Sequence, residues 1–293
     1  MVARRTNDRG VSMPGSLDGA HALVTGGGTG IGRGIATALA RAGAVVTIAG
    51  RRVEVLESTA EELRAEIAGC EIRVVACDVT EDDDVARAVA TAAAGDGRLD
   101  IAVANAGSAV PGPFLLLDDR SWRFCCELNI IGTASTFRHA ALAMTERGGS
   151  LVAISTAASA APEVSMSAYT TTKAAVDMMV KAAAWELGAF GIRVNSIQPG
   201  FVPTDAAVGS FTPELAEDLV RRSALRRSGD PADIADLIVH LASSAGSWIT
   251  GQVIAVDGGM TVQPMADLTD ISKRMYGEDA VAAALGTDRP TGP

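Results

Sequence analysis

Residues 20–32 read Ala-His-Ala-Leu-Val-Thr-Gly-Gly-Gly-Thr-Gly-Ile-Gly. The first six, Ala20 to Thr25, form a short apolar run of strand length, and five glycines crowd the next seven positions. Beyond them Ile31, Ile35 and Leu39 recur every fourth residue, the spacing of one helix face. A phosphate diester needs backbone N–H donors at close range and a helix N-terminus aimed at it, and glycines allow that approach. A glycine turn alone says only that the chain bends tightly. Set between a strand and a helix, it marks a site for a nucleotide phosphate.

The same alternation runs outward from this turn. Gly43 ends the first helix, and Ala44 to Ala49 is a second apolar run. Val53, Leu56, Ala60, Leu63 and Ile67 lie 3, 4, 3 and 4 apart along a helix. Strands are predicted at Ile72 to Cys77, Leu99 to Ala104, Leu151 to Ser155, Ile192 to Gln198 and Val253 to Val256. Between them fall helices at Asp82 to Ala94, about Asp119 to Glu146 and about Ser167 to Phe190. Strands separated by helices predict an α/β fold, a doubly wound parallel sheet of Rossmann type covered on both faces. No Pro/Gly/Ser-rich linker divides the chain, so a single domain is expected over 17–263. Residues 1–16 and 264–293 lack strong patterning and read as a flexible N-terminal arm and a C-terminal extension.

Composition excludes several classes. Of 293 residues 48% are hydrophobic and 20% charged, enough apolar material for a sizeable core and too much for a disordered chain. Lys and Arg number 25 against 35 Asp and Glu, a formal charge of −10 that argues against a nucleic-acid partner. No apolar run approaches the roughly 18 residues of a membrane span, and the basic start lacks the apolar stretch of a secretory signal. Cys70, Cys77, Cys125 and Cys126 are too few and too irregular for a metal or disulfide framework, and His21, His139 and His240 lie scattered. No metal is expected, and a cytoplasmic location is.

The turn Thr25-Gly26-Gly27-Gly28-Thr29-Gly30-Ile31-Gly32 has the spacing TGxxxGxG, and other motifs follow it in order. They are Asp78-Val79, Asn105-Ala106-Gly107, Asn129, Ser155-Thr156, Tyr169-xxx-Lys173 and Pro199-Gly200. Over roughly residues 18–262 the chain resembles the short-chain dehydrogenase/reductase family. The resemblance implies that Gly26, Gly28, Thr29, Gly30, Ile31 and Gly32 hold a dinucleotide. It also implies that Asp78 and Val79 bind the adenine and that Asn105, Ala106 and Gly107 flank the cofactor. Pro199, Gly200, Val202 and Thr204 resemble the segment that fixes the nicotinamide carboxamide, through the Val202 backbone and the Thr204 hydroxyl.

NADP is favoured over NAD by the residues after the second strand. A carboxylate there would hydrogen-bond a ribose 2′-hydroxyl and repel a 2′-phosphate, whereas arginine attracts the phosphate. The chain has Ala49-Gly50-Arg51-Arg52, with no carboxylate at the turn, so Arg51 and Arg52 are the candidate phosphate ligands.

Tyr169 and Lys173 are four apart on one helix and project from the same face. A phenol titrates at about pH 10, too high for acid–base work near neutrality. A neighbouring ammonium favours the phenolate and is expected to lower that pKa. The resemblance gives Lys173 a second task, donating to the nicotinamide ribose. A carbonyl turning into an alkoxide needs a further hydrogen-bond partner, which the family supplies from a serine 13 residues before the tyrosine. That count lands on Thr156, while Ser155 stands one residue further back. Either Thr156 supplies the hydroxyl, or the loop carries one extra residue and Ser155 does; Ser155 is slightly favoured. Asn129 matches the asparagine that holds a water in the proton relay behind the lysine.

These residues imply an oxidoreductase that moves hydride between NADP(H) or NAD(H) and an alcohol or carbonyl compound. Two rivals stand beside it: a non-catalytic dinucleotide-binding regulator, and an isomerase or dehydratase that retains its cofactor. The intact Asn129, Tyr169 and Lys173 set weighs against a regulator, which needs no acid–base phenol. The segment Asp205 to Arg227, with Phe211, Leu215, Leu219 and Leu225, reads as a lid over an apolar substrate. Arg221-Arg222 and Arg226-Arg227 read as a solvated helix face. Trp122, Leu128, Phe137 and Leu142 on one long helix, and Met178, Met179 and Trp185 on the next, exceed a single core-facing stripe. With the family resemblance, and with Trp248 before an edge strand, they imply a homotetramer.

Overall fold

The computed structural model describes residues 16–93, 97–204 and 211–286. Seven parallel strands make one sheet: β1 (His21–Thr25), β2 (Val45–Gly50), β3 (Ile72–Ala76), β4 (Ile101–Ala104), β5 (Gly149–Ile154), β6 (Ile192–Pro199) and β7 (Val253–Val256). Their order across the sheet is β3-β2-β1-β4-β5-β6-β7. The winding reverses between β1 and β4, which opens a crevice at the carboxyl ends of those strands, where open α/β sheets bind ligands.

The central strands β1, β2 and β4 are largely apolar on both sides because each face of the sheet is covered by helices. Ala22 and Val24 enter one core layer with Val152, Ile154, Ile35 and Leu39; Leu23 enters the other with Leu151, Ala153, Phe137 and Val180. This period-two division continues across the sheet. The first layer is roofed by α1 (Gly30–Arg41), α2 (Val53–Glu66) and α8 (Pro231–Ala242). The second is roofed by α3 (Asp82–Ala92), α5 (Gly132–Met144) and α6 (Ser167–Leu187).

The structure departs from the sequence expectation in three places. The helix expected over Asp119–Glu146 is α4 (Asp119–Cys125), a π-helical turn at Cys126–Ile131, and then α5. Leu128 and Phe137, counted among the outward apolar residues, lie in the core, while Leu142, Met178 and Trp185 are exposed as expected, Trp185 at 90%. Beyond α7 (Pro213–Arg222), residues 264–286 form two short helices, α9 (Thr269–Tyr276) and α10 (Glu278–Leu285), which meet at Gly277. Residues 1–15, 94–96, 205–210 and 287–293 lie outside the described residues; they include nearly all of the expected N-terminal arm and the start of the expected lid. Among the described residues no helix is long and apolar enough to cross a membrane, and no group of three metal-ligating side chains occurs.

Candidate active site

The glycine turn is built to bring backbone close to a ligand. A Cβ on Gly32 would lie 2.1 Å from the Gly26 carbonyl, and one on Gly26, whose φ is +66°, would lie 2.8 Å from Asn105 Nδ2. Thr29 occupies the N-cap of α1 without a side-chain cap bond. The first N–H groups of the helix therefore keep donor capacity for a phosphate. Gly28 packs beside Leu56, and its carbonyl accepts from Thr59 Oγ1 at 2.8 Å. Thr204 lies over the mouth of this cradle, its methyl against Gly30.

Asn105 is placed beside the cradle as a brace. Its Nδ2 donates to the carbonyls of Thr25 at 2.9 Å and Gly26 at 3.2 Å, tying the end of β4 to the turn after β1. Thr25, not singled out as a site residue from the sequence, completes the brace: its Oγ1 accepts from the backbone N–H of Asn105 and Ala106, each at 3.1 Å. A threonine opening the glycine motif was the available signal.

Arg51 and Arg52 follow β2 and are exposed. Arg51 Nη1 stands 4.0 Å from Asp78 Oδ2, a loose contact that leaves its guanidinium available to a phosphate. Val79 is buried against Gly132 of α5. At the end of β6, Pro199 pairs with β7 and Gly200 fits tightly against Asp257, which sends Phe201 and the buried Val202 toward the crevice rim. Arg222 and Arg227 are paired with Asp218 and Asp233, and Arg221 also meets Asp218, so these arginines form a surface network.

Asn129, Tyr169 and Lys173 converge behind the crevice. Lys173 is buried, and its Nζ donates to the Ile154 carbonyl at 2.7 Å. A Cβ on Gly107 would lie 3.1 Å from that Nζ and 3.0 Å from Asn129 Oδ1, so one point of the β4 loop touches both. The π-helical turn carries Asn129 into the interior, fully buried and fully engaged: Oδ1 accepts from Ser108 N at 3.1 Å, while Nδ2 donates to Ser108 O at 2.9 Å and Thr172 Oγ1 at 3.0 Å. π turns inside helices recur at functional sites.

The two candidate hydroxyls part at the end of β5. Ser155, 3% exposed, turns inward, its Oγ 3.3 Å from the Lys173 carbonyl and 3.4 Å from Ser159 Oγ. Thr156 is half-buried; its Oγ1 accepts from the Ala158 N–H at 3.3 Å, and its hydrogen bonding favours the Tyr169 phenolate. Successive side chains of an extended segment point to opposite sides, so Ser155 packs against α6 while Thr156 remains the candidate on the other side.

The lowering of the Tyr169 pKa expected from Lys173 is opposed by burial. Burial dominates and pushes the Tyr169 phenol above its ordinary pKa; the Thr156 bond pulls it down, and Glu163 and Cys125 push it up. The ammonium is drawn back onto the Ile154 carbonyl, 5.9 Å from the centre of the phenol ring. Burial also lowers the Lys173 ammonium to about 8, with Asp177 opposing that shift.

A glycine cradle at the switch point of a doubly wound sheet, above a buried lysine and a tyrosine, defines a dinucleotide-dependent oxidoreductase of Rossmann type. The comparisons agree. The family described as enoyl-(acyl carrier protein) reductase matches residues 26–261. A short-chain type dehydrogenase/reductase from Mycobacterium ulcerans is 41% identical, with a TM-score of 0.81 over 91% of this chain and 98% of that one. A 7α-hydroxysteroid dehydrogenase solved with NADH and 7-oxoglycochenodeoxycholic acid is 33% identical, with a TM-score of 0.80 over 84% and 96%. A Beutenbergia cavernae structure with bound NADP is 34% identical, with a TM-score of 0.79 over 86% and 100%. The chain belongs to the short-chain dehydrogenase/reductase family, whose members are NAD(P)-dependent oxidoreductases acting on small molecules.

Proposed function

We propose that this enzyme is a reversible, NADP-preferring alcohol dehydrogenase and carbonyl reductase that uses Tyr169 as its acid–base group. The observation that carries the proposal is the single cluster of Thr156, Tyr169, Lys173 and Asn129 at the carboxyl end of the sheet, beside the glycine cradle. The bound nicotinamide supplies or accepts the hydride. Gly26, Gly28, Gly30 and Gly32, with the uncapped N-terminus of α1, would hold the pyrophosphate. Arg51 and Arg52 would hold the 2′-phosphate, Asp78 and Val79 the adenine, and Val202 and Thr204 the carboxamide. Asn105 acts by bracing the cradle.

In reduction Tyr169 gives its phenolic proton to the developing alkoxide while Thr156 donates a second hydrogen bond to that oxygen. A phenol held above its ordinary pKa is a competent acid but a reluctant base. In oxidation the Lys173 ammonium, one helical turn from Tyr169, would stabilise the phenolate. Asn129 keeps the turn behind Lys173 closed, on the side from which a proton is resupplied. Ser155 acts as a buried support of α6.

An apolar substrate is favoured by what borders the crevice. Phe201 and Phe211 stack edge to face at 5.5 Å, and Phe114, Leu115, Leu116 and Val164 are exposed on the neighbouring loops. A homotetramer is favoured by Phe124, Ile131, Leu142, Met178 and Trp185, exposed on α4 to α6, and by Trp248 beside the edge strand β7. The catalytic domain would span 17–263, and the four free cysteines suit a reducing cytoplasm.

Tyr169→Phe is the decisive test. It should lower turnover of secondary alcohols and ketones on the order of 10²-fold or more while leaving dinucleotide affinity within about twofold. A purified Tyr169→Phe enzyme with ordinary turnover overturns the proposal.

A further inference from the structure

Behind the acid–base cluster lies a carboxylate that the reaction does not touch. Asp177 stands one helical turn beyond Lys173, as Lys173 stands beyond Tyr169, and it is 8% exposed on a helix side that is otherwise mostly apolar. Its Oδ1 accepts from Ser196 Oγ at 2.7 Å, and its Oδ2 accepts from Gln198 Nε2 at 2.9 Å. The Ser159 hydroxyl lies 2.6 Å from the same Oδ2 and 2.7 Å from the Thr156 carbonyl. Gln198 Nε2 also reaches Ser159 Oγ at 2.7 Å. One buried charge thus holds two residues of β6 and, through Ser159, the turn that presents Thr156.

A hydrogen-bonded carboxylate is costly to bury without a cation nearby. Lys173, itself buried, is the ammonium one turn away on the same face. We propose that Asp177 is a positioning residue for the acid–base set: through Ser159 it locks the turn bearing Thr156. The inference rests on the reading of Thr156, Tyr169 and Lys173 given above.

The other titratable groups facing the pair are Cys125 of α4 and Glu163 of the loop before α6, both acting on Tyr169. Gly107, Asn129 and Ile154 border Lys173, and Ser159, Ser196 and Gln198 border Asp177; all six are uncharged.

The chain has two tyrosines, Tyr169 and Tyr276, so in a Tyr276→Phe background the ultraviolet phenolate signal reports Tyr169 alone. Asp177→Asn should move that titration up by about 1 pH unit, because the turn slackens and the Thr156 bond that favours the phenolate loosens. Asp177→Glu should restore most of the shift. Ser159→Ala, which keeps the carboxylate, should move it up by a smaller amount. Simple removal of a negative charge moves it down, so an unmoved or lowered Tyr169 titration in folded Asp177→Asn overturns the proposal. Should Asp177→Asn fail to fold, an unmoved titration in Ser159→Ala overturns it instead. Turnover surviving Tyr169→Phe would sink the proposed function without altering these titrations, so the two failures are distinguishable.

Discussion

Exchanging the hydroxyls at the end of β5 tests which of two adjacent residues serves the substrate. Thr156→Val removes the hydroxyl that meets Tyr169 and keeps the shape of the side chain. A donor aimed at a developing alkoxide is worth about 10²–10³-fold in turnover, so Thr156→Val should lose that much and Thr156→Ser should recover most of it. Ser155→Ala removes a buried hydroxyl whose two contacts are long, 3.3 and 3.4 Å. Its cost is that of one weak neutral hydrogen bond, about 0.5–1.5 kcal/mol of folding stability, with turnover within about threefold of wild type. The assay is NADPH consumption with a panel of cyclic ketones, paired with thermal unfolding of each variant. A dead Ser155→Ala beside an active Thr156→Val would show that the inward and outward assignment at the end of β5 is wrong.

The remaining predictions concern the cofactor and the assembly. Arg51→Ala should weaken NADP binding roughly tenfold and leave NAD unchanged, because one charge-assisted hydrogen bond to a phosphate is worth about that factor; equal losses for both dinucleotides in calorimetry would remove the assigned role. Gly32→Ala should abolish dinucleotide binding, since its methyl would stand 2.1 Å from the Gly26 carbonyl and force the cradle open; wild-type affinity would contradict the close approach. Light scattering should give a mass about four times 29.9 kDa, and Trp185→Glu should lower it; a wild-type mass near one chain refutes the assembly.

The order of strands and helices was legible because hydrophobic spacing is local: Ile31, Ile35 and Leu39 announce a helix whatever lies around them. So was the glycine cradle, since closely spaced glycines between a strand and a helix answer one physical need. Lys173 and Tyr169 were legible as a pair because four residues make one turn. What the sequence could not carry were choices of side. Ser155 and Thr156 are neighbours of similar chemistry, and only the direction of β5 relative to α6 turns one inward and the other to the phenol. Leu128 and Phe137 look like Leu142 and Trp185 in a helix apolar all round, yet the π turn and the sheet bury the first two and expose the others. The same holds for the lysine: the four-residue spacing sets Lys173 beside Tyr169, but the Ile154 carbonyl, brought by a distant strand, decides where the ammonium rests. Sequence by itself determined the elements and the chemistry carried at the site. Tertiary structure decided which faces meet, because burial and hydrogen-bond partners belong to segments that are far apart along the chain.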